Sequence, residues 1–268
     1  MAEKKNIAVI YFPGCNCENE SLRAVKQAGM DGRIFKWNED VKELSSFDGF
    51  VIVGGFSYQD RIRAGAIAAK NPIMKAIMKE AEGKKPVIGI CNGAQVLVET
   101  GLVPGINWGE VEMALATNRP RGGFLCRWVH LKRMNSCCFS DFMEEIIPMP
   151  MAHGEGRFTT TKKEVLDRIE KLIVFKYCDV NGKISDEYPI NPNGAVSNAA
   201  AISNPDGNVM AIMPHPERSA RISQLPDYGT NYSSLKEKAQ GSDEGMKKDG
   251  PGMGIFNSMR KYLERNTF

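Results

Sequence analysis

Short apolar runs alternate with amphipathic stretches through the first hundred residues. Ile7 to Tyr11 reads as a buried strand that ends in the turn Phe12-Pro13-Gly14. In the next segment, Glu18 to Ala28, Leu22, Val25 and Ala28 recur at helical spacing, and Gly29 supplies a stop. Arg33 to Trp37 and Gly49 to Val53 read as two further strands, while Ile62 to Ala69 and Ile73 to Ala81 read as helical. Val87 to Ile90 is a fourth strand, entered from Pro86, and Asn92 to Thr100 a helix closed by Gly101. Strand, helix and strand in that order predict a parallel sheet with crossover helices.

After about Val111 the pattern changes. Phe124 to Leu131 and Leu172 to Cys178 read as strands, with a charged helix at Lys162 to Lys171 between them. The turn Asn204-Pro205-Asp206-Gly207 joins Ala199–Ser203 to Asn208–Met213 as a hairpin, so this half is expected to be mixed or antiparallel. Arg221 to Gly252 is polar and glycine-rich with mixed charges, which predicts a surface excursion or a partner contact. Ile255, Met259, Tyr262 and Leu263 mark one face of a closing helix. With no internal repeat and no clear boundary, the expectation is one domain over 1–268 carrying a polar excursion at about 221–252.

Composition narrows the function classes. The 268 residues are 42% hydrophobic and 25% charged, and the net charge of +3 is too mild to argue for nucleic acid or an anionic membrane. No apolar run approaches the ~18 residues of a membrane span, and Met-Ala-Glu-Lys-Lys at the start lacks a signal-peptide core. Seven irregularly spaced cysteines are expected to be reduced thiols of a cytoplasmic protein. Cys15-x-Cys17 and the pair Cys137-Cys138 lack the four-ligand spacing of a zinc site, so no metal is expected.

The candidate chemistry centres on Gly89-Ile-Cys91-Asn-Gly93, a G-x-C-x-G form of the nucleophile elbow. A strand turning sharply into a helix holds its central residue in a strained conformation, which requires small neighbours. It also places the sulfur at a helix N-terminus, where the dipole favours the thiolate. Taken alone, the pattern fits a buried structural cysteine equally well. A thiol nucleophile needs a base, and the chain has three histidines. His130 sits within a strand pattern. His215 stands in Met213-Pro-His-Pro-Glu217, where flanking prolines are expected to keep the backbone extended, so that His215 and Glu217 point the same way.

Together, Gly-Ile-Cys91-Asn-Gly-x-Gln, His215-Pro-Glu217 and the upstream Gly54-Gly55 resemble the class I, triad-type glutamine amidotransferases. Gly54-Gly-Phe-Ser-Tyr-x-Asp60, His153-Gly-Glu-Gly-Arg-Phe158 and Pro13-Gly-x-Asn-Cys17 narrow the resemblance to the glutaminase subunits of phosphoribosylformylglycinamidine synthases, in purine biosynthesis. The resemblance implies an α/β, flavodoxin-like fold with a mostly parallel central sheet and an added antiparallel part. It implies Cys91 as nucleophile, His215 as base and then acid, and Glu217 as the group orienting His215. Gly54, Gly55, Phe56 and Asn92 would supply the oxyanion hole or bind substrate, Gln95 would help bind glutamine, and His153, Glu155 and Arg157 would contact substrate or a subunit interface. It also implies no cofactor on this chain, with ATP and Mg on a partner synthetase subunit, and a small accessory subunit in the same complex. The family often has glycine where this chain has Gln59, and the polar stretch after Arg221 is longer than in the pattern. The rival readings are the glutaminase of another pathway, a stand-alone cysteine hydrolase or peptidase with the same elbow, and a binding subunit in which the elbow is unused.

Overall fold

In the computed structural model, which describes residues 4–226, 242–266 and 268, the apolar runs of the first half become four strands joined by crossovers. They are β1 (Asn6–Tyr11), β2 (Asp31–Lys36), β3 (Gly49–Ile52) and β4 (Val87–Ile90), with α1 (Glu18–Gln27) after β1 and α2 (Pro72–Glu82) after β3. Asn71 caps α2 by accepting from the Ile73 N–H, and Pro72 opens the helix where no amide partner is needed. Helix α3 (Asn92–Glu99) leaves β4 through Cys91 and is buried along its whole length. It packs across β3, β4 and β11 (Val209–Ile212), which leaves no polar face to show.

The second half contributes β5 (Ala114–Ala116), β6 (Leu125–Arg133), β7 (Ile146–His153), β8 (Arg157–Thr159), α4 (Lys163–Leu172), β9 (Ile173–Cys178) and β10 (Ala199–Ser203) ahead of β11. A short helix α5 (Asp243–Met246) and the closing helix α6 (Met253–Arg265) complete the described chain. The main sheet runs β2-β1-β3-β4-β11-β10-β9-β6-β7, while β5 and β8 form a separate antiparallel ribbon. β2, β1, β3, β4 and β11 are all parallel, which is the 2-1-3-4-5 order of a flavodoxin-like sheet. The remaining strands are antiparallel to their neighbours. Four reversals bring β7 back to the sense of β4, so its C-terminal end lies with the carboxyl ends of the parallel strands. There the edge strand meets the centre of its own sheet: the Pro150 carbonyl accepts from the His215 N–H at 2.8 Å.

Several expectations are corrected. Ile62 to Ala69 is not a helix; its end contributes to a single 3-10 turn at Ala68–Lys70. Ile62 (φ 74°) and Gly65 (φ 79°) are both left-handed, and a Cβ on Gly65 would lie 2.7 Å from the Gln95 backbone. The segment follows the surface of α3 and cannot coil. Strand β7 carries no ordinary strand signal, because Pro148 and Pro150 interrupt it; an edge position tolerates them. Consequently His153 ends a strand, and the loop of the His153-Gly-Glu-Gly motif begins only at Gly154. The polar stretch from Arg221 is anchored at both described ends. Arg221 bridges to Asp249, the Gly250 N–H donates to Ala220 at 2.9 Å, and Ile222 and Leu225 are buried with Trp128 and Met246 packed against them. Its middle, 227–241, lies outside the described residues. All seven cysteines are free thiols. Among the described residues, no helix is long and apolar enough to cross a membrane.

Candidate active site

Glycine is obligatory on both sides of Cys91. A Cβ on Gly93 would sit 2.0 Å from the Ile52 carbonyl oxygen of β3, and one on Gly89 would sit 2.4 Å from the Gly93 oxygen. Strand and helix therefore approach as closely as backbone allows, and the connecting residue absorbs the turn. Cys91 adopts φ 52° and ψ −105°, a conformation that L-residues reach only under strain from their surroundings. Its N–H donates to Ile212 of β11 at 2.8 Å, and its sulfur lies 3.5 Å from the Ala152 carbonyl of β7. The thiol is thus held between the centre of the sheet and its far edge.

His215 follows β11 at the same edge. The extended segment predicted from its two prolines ends at the imidazole itself. Pro216–Arg218 is a 3-10 turn, so Glu217 reaches His215 by turning back. Its Oε1 lies 2.6 Å from His215 Nδ1, and both side chains are essentially fully buried. Burial alone would lower the imidazole pKa, but the Glu217 carboxylate, then the Cys91 sulfur, raise it well above its ordinary value. The Nε2 atom makes no hydrogen bond, and Glu217 Oε2 is likewise buried without a partner. An imidazole held by a carboxylate at Nδ1, with Nε2 unengaged beside a thiol, can accept the thiol proton and later return one.

The sequence reading missed a third group at this dyad. Cys17 is fully buried, and its sulfur accepts from Arg218 Nη2 at 2.9 Å. Cys17, His215 and Glu217 bring one potential ligand atom each within 4.8 Å of one another, the one such group found among the described residues. The guanidinium on Cys17 and the closed Nδ1–Glu217 bond both oppose a cation there. A Cβ on Gly54 would lie 2.9 Å from His215 Cε1 and 3.2 Å from the Cys17 sulfur, so this glycine forms the floor beneath both.

On the adjoining loop, the Phe56 N–H is spent on the Gly14 carbonyl at 2.9 Å, while Gly55 shares with Cys91 the lining of the cavities at this edge. Gly55 is bound to its conformation, because a Cβ there would meet the Cys15 Cα at 2.5 Å. Asn92 begins α3, where amides have no partner within the helix. Its side chain is fully engaged, accepting from the Ser57 N–H at 3.0 Å and donating to Asp60 at 3.0 Å and Gln95 at 2.8 Å. Gln95 in turn donates to the Glu155 carbonyl at 2.7 Å, fixing the loop after β7.

Two cavities flank Cys91. One, about 150 Å³, is lined by Asp60, Gln95, His153, Gly154 and Glu155; the other, about 210 Å³, by Asn16, Cys126, His215 and Arg218. Gly55, Phe56, Phe124 and Ala152 border both. The exposed rings of Phe56 and Phe124 lie 6.4 Å apart across the mouth. The structure brings Gly54, Gly55, Phe56, Asn92, Gln95, His153 and Glu155 to this region, but not Arg157. That residue sits on the β5–β8 ribbon, donating from Nε to the Thr117 carbonyl at 3.0 Å, and lines neither cavity. Asp60 lines the smaller cavity, a place that only the fold reveals.

A flavodoxin-ordered sheet with a strained thiol elbow and a buried His–Glu pair at its carboxyl edge is the architecture of a triad-type amidotransferase. The chain belongs to the CobB/CobQ-like glutamine amidotransferase domain family, whose model matches residues 4–263, and it is a glutamine amidotransferase. More particularly, it groups with the PurQ proteins. It is 45% identical to phosphoribosylformylglycinamidine synthase subunit PurQ of Methanothrix thermoacetophila, over 96% of this chain and 98% of that one. It is 39% identical to the PurQ of Pyrococcus horikoshii over the same shares. The fold is similar to a chain of the PurLQS structure from Thermotoga maritima, with a TM-score of 0.72 and 28% identity over 97% of this chain and 100% of that one.

Proposed function

We propose that this chain is the glutaminase subunit of a phosphoribosylformylglycinamidine synthase, hydrolysing glutamine to glutamate and ammonia through a thioester on Cys91. His215 takes the Cys91 proton, and the thiolate attacks the side-chain amide carbon of glutamine. Backbone N–H groups of Gly55 and Asn92 receive the oxyanion, a term worth roughly 10²–10³ in rate per donor. His215, held by Glu217, passes its proton to the departing nitrogen, and ammonia leaves. Water, deprotonated by the same imidazole, then cleaves the thioester. The observation that carries the reading is the buried 2.6 Å contact between His215 and Glu217 at the same sheet edge as a strained thiol.

The ammonia passes to a separate synthetase subunit that binds ATP and Mg and converts formylglycinamide ribonucleotide to the amidine in de novo purine biosynthesis. A small accessory subunit joins the complex, and the whole chain acts as one cytoplasmic amidotransferase domain without its own cofactor or metal. The full-length relatives named above support this assignment, as does the lack of a P-loop pattern in this sequence. The test is a complex reconstituted with Cys91→Ser. It should fail with glutamine yet form amidine from ammonium salt and ATP. Loss of both activities with intact assembly would mean that Cys91 serves the synthetase chemistry, and would refute the division of labour.

A further inference from the structure

Cys17 stands at the N-cap of α1, where a serine, threonine or aspartate would accept from the free amides and steady the helix. Its own side chain makes no capping bond. The sulfur turns inward, is fully buried and is paired twice, donating to Asn16 Oδ1 at 3.2 Å and accepting from Arg218 Nη2 at 2.9 Å. Exchanging a local contact for one 201 positions away locates the role of this residue at Arg218.

The consequence lies at Glu217. Its Oε1 holds His215 Nδ1, but Oε2 is buried with no partner, an unmet demand for a donor. Arg218 is the next residue, and its Nε stands 3.9 Å from Oε1, beyond hydrogen-bond reach. A guanidinium fork matches a carboxylate through two parallel bonds. Closing that fork on Glu217 would satisfy Oε2 and divide the carboxylate between two cations. The Cys17 sulfur occupies Nη2 and keeps the fork turned away. His215 is faced by Glu217 and Arg218 from its own turn, Cys17 from the head of α1, Cys91 from the elbow and His153 from the end of β7. His153 is neutral, since burial and then His215 lower its pKa to about 3, and its Nδ1 faces Asn118 Oδ1 at 3.2 Å. Among these groups, Glu217 favours the charged imidazole most.

We propose that Cys17 is a positioning residue for the glutaminase reaction: its sulfur restrains the Arg218 guanidinium and so reserves the Glu217 carboxylate for His215. The inference rests on the glutaminase reading for the acid–base role of His215, while the contacts themselves do not depend on it.

The test is an NMR titration of the His215 imidazole in the full chain, with glutamine turnover measured in the reconstituted complex. In Cys17→Ala the released guanidinium closes on Glu217, so His215 should titrate about one pH unit lower, the small end of what a neighbouring charge shifts. Its kcat should fall about 10-fold, part of the 10²–10⁴ that a positioned acid–base group supplies, with KM unmoved. Arg218→Met removes the competing cation at a side chain that is 37% exposed, and should not lower the titration. Adding Cys17→Ala to Arg218→Met should then change nothing further, because the sulfur has no guanidinium left to hold. An unchanged midpoint in Cys17→Ala, a drop in Arg218→Met alone, or a drop that persists in the double variant would each overturn the proposal. A wild-type complex that hydrolyses no glutamine would instead sink the glutaminase reading, and the titrations would still decide whether Cys17 governs the hold of Glu217 on His215.

Discussion

Gly93→Ala is the sharpest probe of how the elbow is built. The added Cβ would lie 2.0 Å from the Ile52 oxygen and 2.6 Å from its carbon, both backbone atoms of a central strand that cannot swing aside. Restoring a tolerable contact requires α3 to lift about 1 Å from β3 in an interior packed as densely as a crystal. Overpacking of that kind costs about 1–3 kcal/mol, or roughly 2–12 °C of Tm in a chain of this size. The same displacement moves the Cys91 sulfur relative to His215 and the Gly55 amide, and a misplacement of about 1 Å costs on the order of 10²-fold in rate. Gly122→Ala is the control, since a Cβ there meets nothing within 4 Å. Thermal melting and steady-state glutamine hydrolysis on both variants decide the matter. If Gly93→Ala melts and turns over like Gly122→Ala, the close approach of helix and strand is not what holds the thiol in place.

A glutamine-like chloroketone should label one thiol, Cys91, by mass spectrometry. Burial pushes Cys15 up to about 12 and Cys137 up to about 11, so both stay protonated near neutral pH, and labelling spread over them would contradict a uniquely activated sulfur. Glu217→Gln keeps the shape but removes the charge that raises His215, so kcat should fall by about 10²–10⁴. The His215 imidazole should also titrate at lower pH in this variant, and an unmoved NMR titration would show that Glu217 does not tune it. Burial, then Glu155, raises Asp60 to about 6, so its negative charge is present above that pH and lost below it. Glutamine carries an ammonium group, so its KM should climb as pH falls through about 6 in wild type and stay level in Asp60→Asn, a contrast that a pH series of initial rates resolves.

What could be read from the sequence was local. The elbow declares itself because strand, small-residue turn and helix are contiguous, and because Gly89 and Gly93 answer a steric demand within five residues. His215 and Glu217 were legible for the same reason, though the mechanism differs: a 3-10 turn, not an extended segment, closes their contact. What escaped depends on chain brought from afar. Cys17 meets Arg218 across 201 positions, and His153 gains its meaning from Asn118, 35 residues earlier. Arg157 shared a motif with His153 but, four positions on, has crossed to another ribbon. The helix expected at Ile62 to Ala69 had the right composition, and the packing of Gly65 against α3 overrode it.

Strand β7 exposes the rim of a nine-stranded sheet, and such a rim invites strands from other molecules. Here its outward carbonyls at Pro150 and Ala152 face His215 and Cys91, and Pro148 and Pro150 have no N–H to offer at the same positions. Another chain arriving at that rim would find neither a full set of donors nor a full set of free acceptors. The roof over the nucleophile is thereby also a guard against intermolecular β-pairing. Changes on β7 that extend its hydrogen-bonding edge would tax solubility and catalysis together, because one short strand serves both.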